Sequence, residues 1–242
     1  PKCRNPIAWY DNLPLISFVL LRARCRKCAV RIPARYFLVE ALTALLTVGA
    51  CVRLGVGWEL LAQWPLIAAF VAITFLDIDH YWVPDVITFP AMAYALGASF
   101  LPGGIEPLSS VAGLIPAVAL FLFAWAFERV TGREGMGLGD VKLLAVIGLS
   151  LGAIPSLVVL FLGSLQGAVI GGLVIASGGH QAKESELPAE VQDGKDSEEK
   201  WRPPPRAIPF GPFLILGFLE VLFFPDVFGR GLLSLIETWV HP

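Results

Sequence analysis

Residues 155–176 read Pro-Ser-Leu-Val-Val-Leu-Phe-Leu-Gly-Ser-Leu-Gln-Gly-Ala-Val-Ile-Gly-Gly-Leu-Val-Ile-Ala and contain no charged side chain. A helical run of this length can cross the hydrocarbon core of a bilayer, which is about 30 Å thick. The whole chain shares this character, since its 242 residues are 56% hydrophobic and only 16% charged, with a mean hydropathy of +0.70. This composition excludes disordered, collagen-like and disulfide-stapled proteins, and a soluble core could not bury so much apolar surface. It predicts an all-α fold, a polytopic transmembrane helical bundle.

Apolar runs recur along the chain and predict about seven spans. They cover residues 36–54, 60–76, 86–101, 108–127, 140–153, 155–176 and 209–224. We interpret residues 227–240 as a shorter, interfacial segment. The predicted organisation is a cysteine-containing module (residues 1–35), a membrane core (36–176), a flexible polar loop (177–207) and a last span with its carboxyl-terminal segment (208–242).

The basic residues are distributed unevenly around these spans. If successive spans cross the membrane in opposite directions, all but two of the 18 lysines and arginines lie on the same side as the amino-terminal region. The two exceptions are Arg53 and Arg230. The positive-inside rule therefore predicts a cytoplasmic amino-terminal region. The net charge of −2 points to no charged partner, and we expect no nucleic-acid binding.

Carboxylates at helix ends are the strongest signal for chemistry, because acids within membrane segments are costly and are commonly functional. Asp77 lies at the end of the second predicted span, and Asp140 follows Gly137-Leu-Gly at the start of the fifth. Both ends lie on the cytoplasmic side, so the two carboxylates can meet at similar depth. Two facing carboxylates cannot both be ionised cheaply, and they share one proton. The pair can then activate water and polarise a carbonyl, which is aspartic peptide hydrolysis.

Simpler interpretations exist for each acid taken alone. Asp140 has the position of a helix N-cap, and Asp79 and Asp85 are typical of solvated charges at a helix end. Metal ligation by Asp77, Asp79, His80 and Asp85 is an alternative that no second histidine-rich cluster supports. Lys142 is expected close to Asp140, where it would either steer an acidic substrate or extend to the lipid headgroups.

The cysteines predict a metal site in the amino-terminal module. Cys25 and Cys28 form a Cys-x-x-Cys pair, and Cys3 lies upstream on the same basic segment. A reducing cytoplasm disfavours disulfides, so we interpret these three as ligands of a structural zinc ion, with unpaired thiols as the alternative. Cys51 lies inside an apolar span and is interpreted as a packing residue.

Four blocks in order resemble bacterial type IV prepilin peptidases, a family of Gly-x-Gly-Asp membrane aspartyl peptidases. The matching stretches are Asp77-Ile-Asp-His-Tyr-Trp-Val-Pro84-Asp85, Gly137-Leu-Gly-Asp140, Ile208-Pro-Phe-Gly-Pro-Phe213 and an amino-terminal group that includes Asp11-Asn-Leu-Pro-Leu-Ile-Ser17 and Arg35-Tyr36 through Glu40.

The resemblance implies a bifunctional enzyme of the bacterial inner membrane. It would remove the leader peptide of prepilins or type II secretion pseudopilins at the cytoplasmic face, and then methylate the new amino terminus with S-adenosylmethionine. By position it implies Asp77 and Asp140 as the catalytic pair. Asp79 competes with Asp77, but residues two apart on a helix point about 200° apart, so only one can face Asp140, and we choose Asp77.

The resemblance also bears on the amino terminus. The family's first knuckle is Cys-Pro-x-Cys, so a cysteine directly before Pro1 would complete a four-ligand zinc site, and one further span is expected before the module. Methylation is implied by the resemblance alone, because the chain has no soluble-type glycine-rich loop for S-adenosylmethionine. Two other classes stay open: a transporter with acids along an ion path, and a scaffold protein of a secretion complex.

Overall fold

The computed structural model describes residues 6–132, 137–176 and 208–230. These residues form helices, with one isolated bridge between Arg24 and Arg31 and no other extended pairing among them. The α-helices in chain order are α1 (Ile16–Leu20), α2 (Ala34–Leu54), α3 (Trp58–His80), α4 (Asp85–Ala98), α5 (Pro107–Ala112), α6 (Leu114–Thr131), α7 (Leu138–Leu151), α8 (Ala153–Ala176) and α9 (Gly211–Phe223). A 3-10 turn at Trp9–Asn12 precedes α1, and a π-helical turn at Asp226–Arg230 follows α9.

Each of the seven predicted apolar runs is helical, which confirms the all-α class. Four helical stretches are long and apolar enough to cross a membrane: Ala34–Leu54, Trp58–His80, Pro107–Thr131 and Ala153–Val174. The helices α4 and α9 are apolar but shorter, and α7 has 14 residues. Membrane-spanning character is therefore supported, and the count of seven spans stays a prediction. The predicted loop at 177–207 and most of the segment 227–240 lie outside the described residues.

The fourth predicted span is interrupted at Gly113, where α5 ends and α6 begins. Gly113 lies directly against Gly148 of α7, backbone to backbone, so neither position has room for a side chain. Beside this crossing the Ser110 hydroxyl donates a hydrogen bond of 2.6 Å to the carbonyl of Leu149. Small residues at such crossings are how apolar helices approach closely in a membrane.

The chain forms two compact units, Pro1–Val71 and Ala72–Pro242. In the first unit, the segment around α1 packs on the start of α2. The backbone N–H of Leu15 donates a hydrogen bond of 2.8 Å to the Glu40 carboxylate, and the rings of Phe18 and Phe37 lie 5.2 Å apart between centroids. Glu40 therefore satisfies a backbone donor at the beginning of α1, which accounts for an acid inside an apolar helix.

The second unit is built around α7, which packs against α4, α5, α6, α8 and α9. The side chains of Leu143, Leu144, Val146 and Ile147 are completely buried. A helix that is apolar on all sides is typical of a buried element, and here it is surrounded by other helices. Asp140, near the beginning of α7, is thereby held at the end of the most enclosed helix of this unit.

Candidate active site

Asp77 lies in the last turn of α3 and is buried, with only 5% of its surface exposed. One oxygen of its carboxylate, Oδ2, accepts a hydrogen bond of 3.1 Å from the backbone N–H of Gly211, at the start of α9. A buried carboxylate is costly unless it is hydrogen-bonded, and this bond compensates part of that cost. The tertiary structure thus buries an ionisable group at the end of α3, against the start of α9.

Asp140 is the third residue of α7 and is partly exposed. The helix begins at Leu138, so the expectation that it begins at Asp140 is wrong by two residues. Gly137 occupies the N-cap position with extended backbone. The N-cap interpretation of Asp140 is therefore also wrong, because the backbone has already turned into the helix at Leu138. Asp140 still lies in the first turn, where the positive end of the helix favours a carboxylate.

The fold brings the two carboxylates together. Asp77 ends one helix and Asp140 begins another, and they lie close enough for the charge of Asp77 to act on Asp140. Two carboxylates in this relation repel when both are ionised, so the pair holds one proton most cheaply. A pair that holds one proton would have one group that can accept a proton and one that can donate a proton.

Gly211 is a site residue whose role sequence reasoning did not identify. Besides donating its N–H, it lies so close to Asp77 that a Cβ at this position would be 2.6 Å from Oδ2. Only glycine leaves room for the carboxylate here. The signal was present in the Ile208–Phe213 block, but nothing in the sequence indicated that this block contacts Asp77.

An ion pair joins the beginning of α4 to the first turns of α7, just after Asp140. Lys142 forms an ion pair with Asp85, and its ammonium group also lies 5.6 Å from the centre of the Phe89 ring. Nearby, Gly139 contacts Val83 so closely that a Cβ would lie 3.0 Å from the Val83 side chain. Asp85 was interpreted as a solvated end charge, and it is exposed at the start of α4 as expected, with Lys142 as an additional partner.

The competing residues on α3 point elsewhere. Asp79 and His80 are exposed, whereas Asp77 is buried, as expected for residues on different faces of one helix. Across the described residues, no three His, Cys, Asp or Glu side chains are grouped closely enough to hold a metal ion. The alternative of a metal bound at the end of α3 therefore has no support in the structure.

Comparison with known proteins shows which family the chain resembles over most of its length. The profile of the Type IV leader peptidase family matches residues 64–172, and that of the Bacterial Peptidase A24 N-terminal domain matches residues 1–54. Proteins named prepilin leader peptidase/N-methyltransferase are similar over most of the chain. The protein from Aeromonas salmonicida is 38% identical, covering 98% of this chain and 74% of its own length. The one from Aeromonas hydrophila is 40% identical, covering 92% and 70%, and the one from Myxococcus xanthus is 33% identical, covering 92% and 79%.

The chain belongs to the prepilin leader peptidase/N-methyltransferase family. No solved structure matches it significantly.

In this family member, the Cys-x-x-Cys pair lies in a tight turn. Cys25 accepts a backbone hydrogen bond of 2.9 Å from Ala29 and donates one of 2.9 Å to Val30, and Cys28 is exposed. Ala29 has a φ of +55°, the left-handed conformation that closes such a turn. The turn therefore contains both cysteines, and its backbone is closed between Cys25 and Ala29. Cys3, the third predicted zinc ligand, lies outside the described residues, and Cys51 is partly buried within α2.

Proposed function

We propose that this chain is a membrane aspartyl endopeptidase that removes the leader peptide of type IV prepilins or type II secretion pseudopilins. The observation that carries the proposal is a buried Asp77, held by the N–H of Gly211, beside Asp140 at the start of α7. Membership of the prepilin leader peptidase/N-methyltransferase family supplies the substrate class and the second activity, methylation of the new amino terminus with S-adenosylmethionine.

The chemistry follows from a pair of carboxyl groups that holds one proton. The ionised carboxylate accepts a proton from a water molecule as the water oxygen attacks the carbonyl carbon of the scissile bond. The protonated carboxyl donates its proton to the carbonyl oxygen, which forms a neutral tetrahedral intermediate. When the C–N bond breaks, a proton passes to the leaving amine. The two products are the leader with a free carboxyl group and the mature protein with a free amino terminus, which is the group to be methylated.

Neighbouring residues position this pair. The contact of Gly211 fixes the Asp77 carboxylate from the side of α9, and the ion pair of Lys142 with Asp85 joins α7 to α4 just after Asp140. Misplacement of a catalytic group by about 1 Å can cost about 100-fold in rate, so contacts that hold both helix ends contribute to catalysis. We therefore assign Lys142 and Asp85 as positioning residues.

The amino-terminal module is proposed to hold a structural zinc ion through Cys3, Cys25 and Cys28. The fit is supported by the tight turn, closed by the backbone bond from Ala29 to Cys25, in which both Cys25 and Cys28 lie. Zinc would tie the turn to the upstream segment, because a segment of this size has too little apolar core to order itself. We assign this module, residues 1–35, to methylation.

The distribution of basic residues supports a location in the bacterial inner membrane with the carboxylate pair facing the cytoplasm. The helices of membrane-spanning length imply the lipid bilayer as a permanent partner. In this orientation the leader of the substrate reaches the enzyme from the cytoplasmic side, which is the side that carries most of the enzyme's basic residues.

The proposal is tested with Asp77→Asn and Asp140→Asn in the purified full chain, incubated with a prepilin while leader loss is followed by mass spectrometry. Each variant should lose cleavage by at least about 1000-fold, because a dyad lacking one acid can no longer both accept and donate the proton. The matched control is Asp79→Asn, two residues away on the exposed side of α3, which should cleave normally.

Methylation of a pre-cleaved substrate should persist in both active-site variants, which shows that the protein is folded. Normal cleavage in Asp77→Asn together with loss in Asp79→Asn would show that the wrong aspartate was chosen. Normal cleavage in both Asp77→Asn and Asp140→Asn would remove the peptidase assignment and revive the transporter and scaffold alternatives.

A further inference from the structure

The segment that precedes the first long helix carries apolar side chains that no described residue covers. Trp9 is 80% exposed, Val19 63% and Leu20 75%, and Ile7 and Ile16 are also exposed. Exposed apolar residues gathered in one short segment mark an interaction surface. We define residues 7–20 as the apolar segment.

The position of this segment along α2 indicates what its surroundings are. Leu15 is bonded to Glu40, and Phe18 packs against Phe37, so the segment lies beside the first two turns of α2. At a rise of 1.5 Å per residue, Phe37 lies about 5 Å and Glu40 about 9 Å beyond Ala34, where α2 begins. Since α2 has the length and hydropathy of a membrane span, the segment is held at the boundary between headgroups and acyl chains. Interfacial anchors bury their apolar face to a depth of about 5–10 Å, which is the same range.

Charge at the end of the segment fits the same surroundings. Arg22, Arg24, Lys27 and Arg31 follow it and are exposed, whereas Arg26 is paired with Asp11. Cationic side chains beside an apolar interfacial surface are typical of contact with anionic phospholipid headgroups. An acid in the same stretch, Asp11, is neutralised by its arginine partner, so the surface presents positive charge.

We propose that the apolar segment is an interfacial anchor: Val19, Leu20 and Trp9 contact acyl chains, and the following basic residues contact anionic headgroups. The anchor would hold the amino-terminal module against the surface of the bilayer. The proposal rests on contacts within residues 7–40 and not on the carboxylate pair.

The test uses the full chain in nanodiscs of phosphatidylethanolamine and phosphatidylglycerol, with Leu20→p-benzoylphenylalanine as a photo-cross-linker. Irradiation should give mainly lipid adducts, and phosphatidylglycerol should be enriched about twofold or more over its share of the bilayer. The matched control is Lys27→p-benzoylphenylalanine, beyond the apolar segment, which should give few adducts with acyl chains.

A second set of variants tests the role of charge. In the Leu20 cross-linking protein, Arg22→Gln with Arg24→Gln should return the adducts to the bulk lipid ratio, whereas Arg53→Gln at the other end of α2 should leave the enrichment unchanged. Adducts with protein instead of lipid at position 20 would show that another segment or a second copy covers the surface, and would overturn the proposal. Lipid adducts at the bulk ratio in the unaltered background would overturn the preference for anionic headgroups. Leader cleavage measured in parallel keeps this outcome separate from that of the proposed function.

Discussion

A single methyl group at position 211 should disable the carboxylate pair without removing either acid. In Gly211→Ala the new Cβ would lie 2.6 Å from Oδ2 of Asp77 and 3.3 Å from its Cγ. Ordinary contact begins at 3.4 Å, so the carboxylate oxygen must withdraw by about 0.8 Å. The backbone of Gly211 is not in the left-handed region, and alanine adds no backbone strain there.

The size of the effect follows from this displacement. A shift of about 1 Å in a catalytic group costs about 100-fold in rate. The same displacement weakens the 3.1 Å bond from the Gly211 N–H to the carboxylate, and losing a bond to a charged group costs on the order of 1.5–3 kcal/mol, or roughly 10- to 100-fold, which is a second measure of the same loss. We expect kcat for leader cleavage to fall by about 100-fold, while KM changes by less than about threefold because the substrate still binds.

The assay is steady-state cleavage of a purified prepilin by the detergent-solubilised or reconstituted chain, with kcat and KM determined separately. Gly217→Ala is the matched control, because Gly217 lies in α9 like Gly211. Its new Cβ would lie 3.0 Å from the carbonyl oxygen of Val159 in α8 and would not touch Asp77. Gly172→Ala, with open space around it, controls for the substitution itself. If kcat in Gly211→Ala stays within about threefold of the unaltered enzyme, or falls no further than in Gly217→Ala, the close contact with Asp77 does not position the carboxylate.

Three further results are expected. Reversing one charge of the α4–α7 ion pair, as in Lys142→Asp or Asp85→Lys, should lower kcat about fivefold, and reversing both charges together should restore most of that kcat. Unchanged cleavage kinetics in Lys142→Met would instead favour a lysine that only extends to the lipid headgroups. The double variant Cys25→Ser, Cys28→Ser should abolish bound zinc, measured per chain by elemental analysis, and should impair methylation while leader cleavage persists. Unchanged zinc content would exclude the site. Loss of cleavage in protein that is still inserted in the membrane would show that the two activities are not separable. Arg26, which is bonded to Asp11, holds the pKa of the Asp11 carboxyl below its usual range. The ion pair therefore stabilises the module above about pH 4, and this stabilisation is lost as the pH falls through the lowered pKa. Hydrogen-exchange protection around residue 11, corrected for the intrinsic pH dependence of amide exchange, should fall across that range, and this fall should be absent in Asp11→Asn; the same fall in Asp11→Asn would assign it to another group.

The helical segments could be predicted from sequence because hydropathy is a local property. A run of apolar residues must be helical in a bilayer, since every backbone group has to be satisfied within its own segment. The beginnings and ends were less accurate: α7 begins at Leu138, and the fourth span is interrupted at Gly113. The interruption depends on the close contact of Gly113 with Gly148, which lies in another helix and leaves no trace in the hydropathy of either segment.

From the sequence, the family motif nominated Asp77 and Asp140, and helix geometry indicated that only one of Asp77 and Asp79 could face Asp140. The structure buries Asp77 and exposes Asp79, and the catalytic role of the pair stays a prediction. Sequence could not indicate what surrounds Asp77. The hydrogen bond from Gly211 joins residues 134 positions apart, and the ion pair of Lys142 with Asp85 joins residues 57 apart. Such contacts depend on how helices pack in three dimensions, since a motif specifies which residues are present but not which backbone will lie against them.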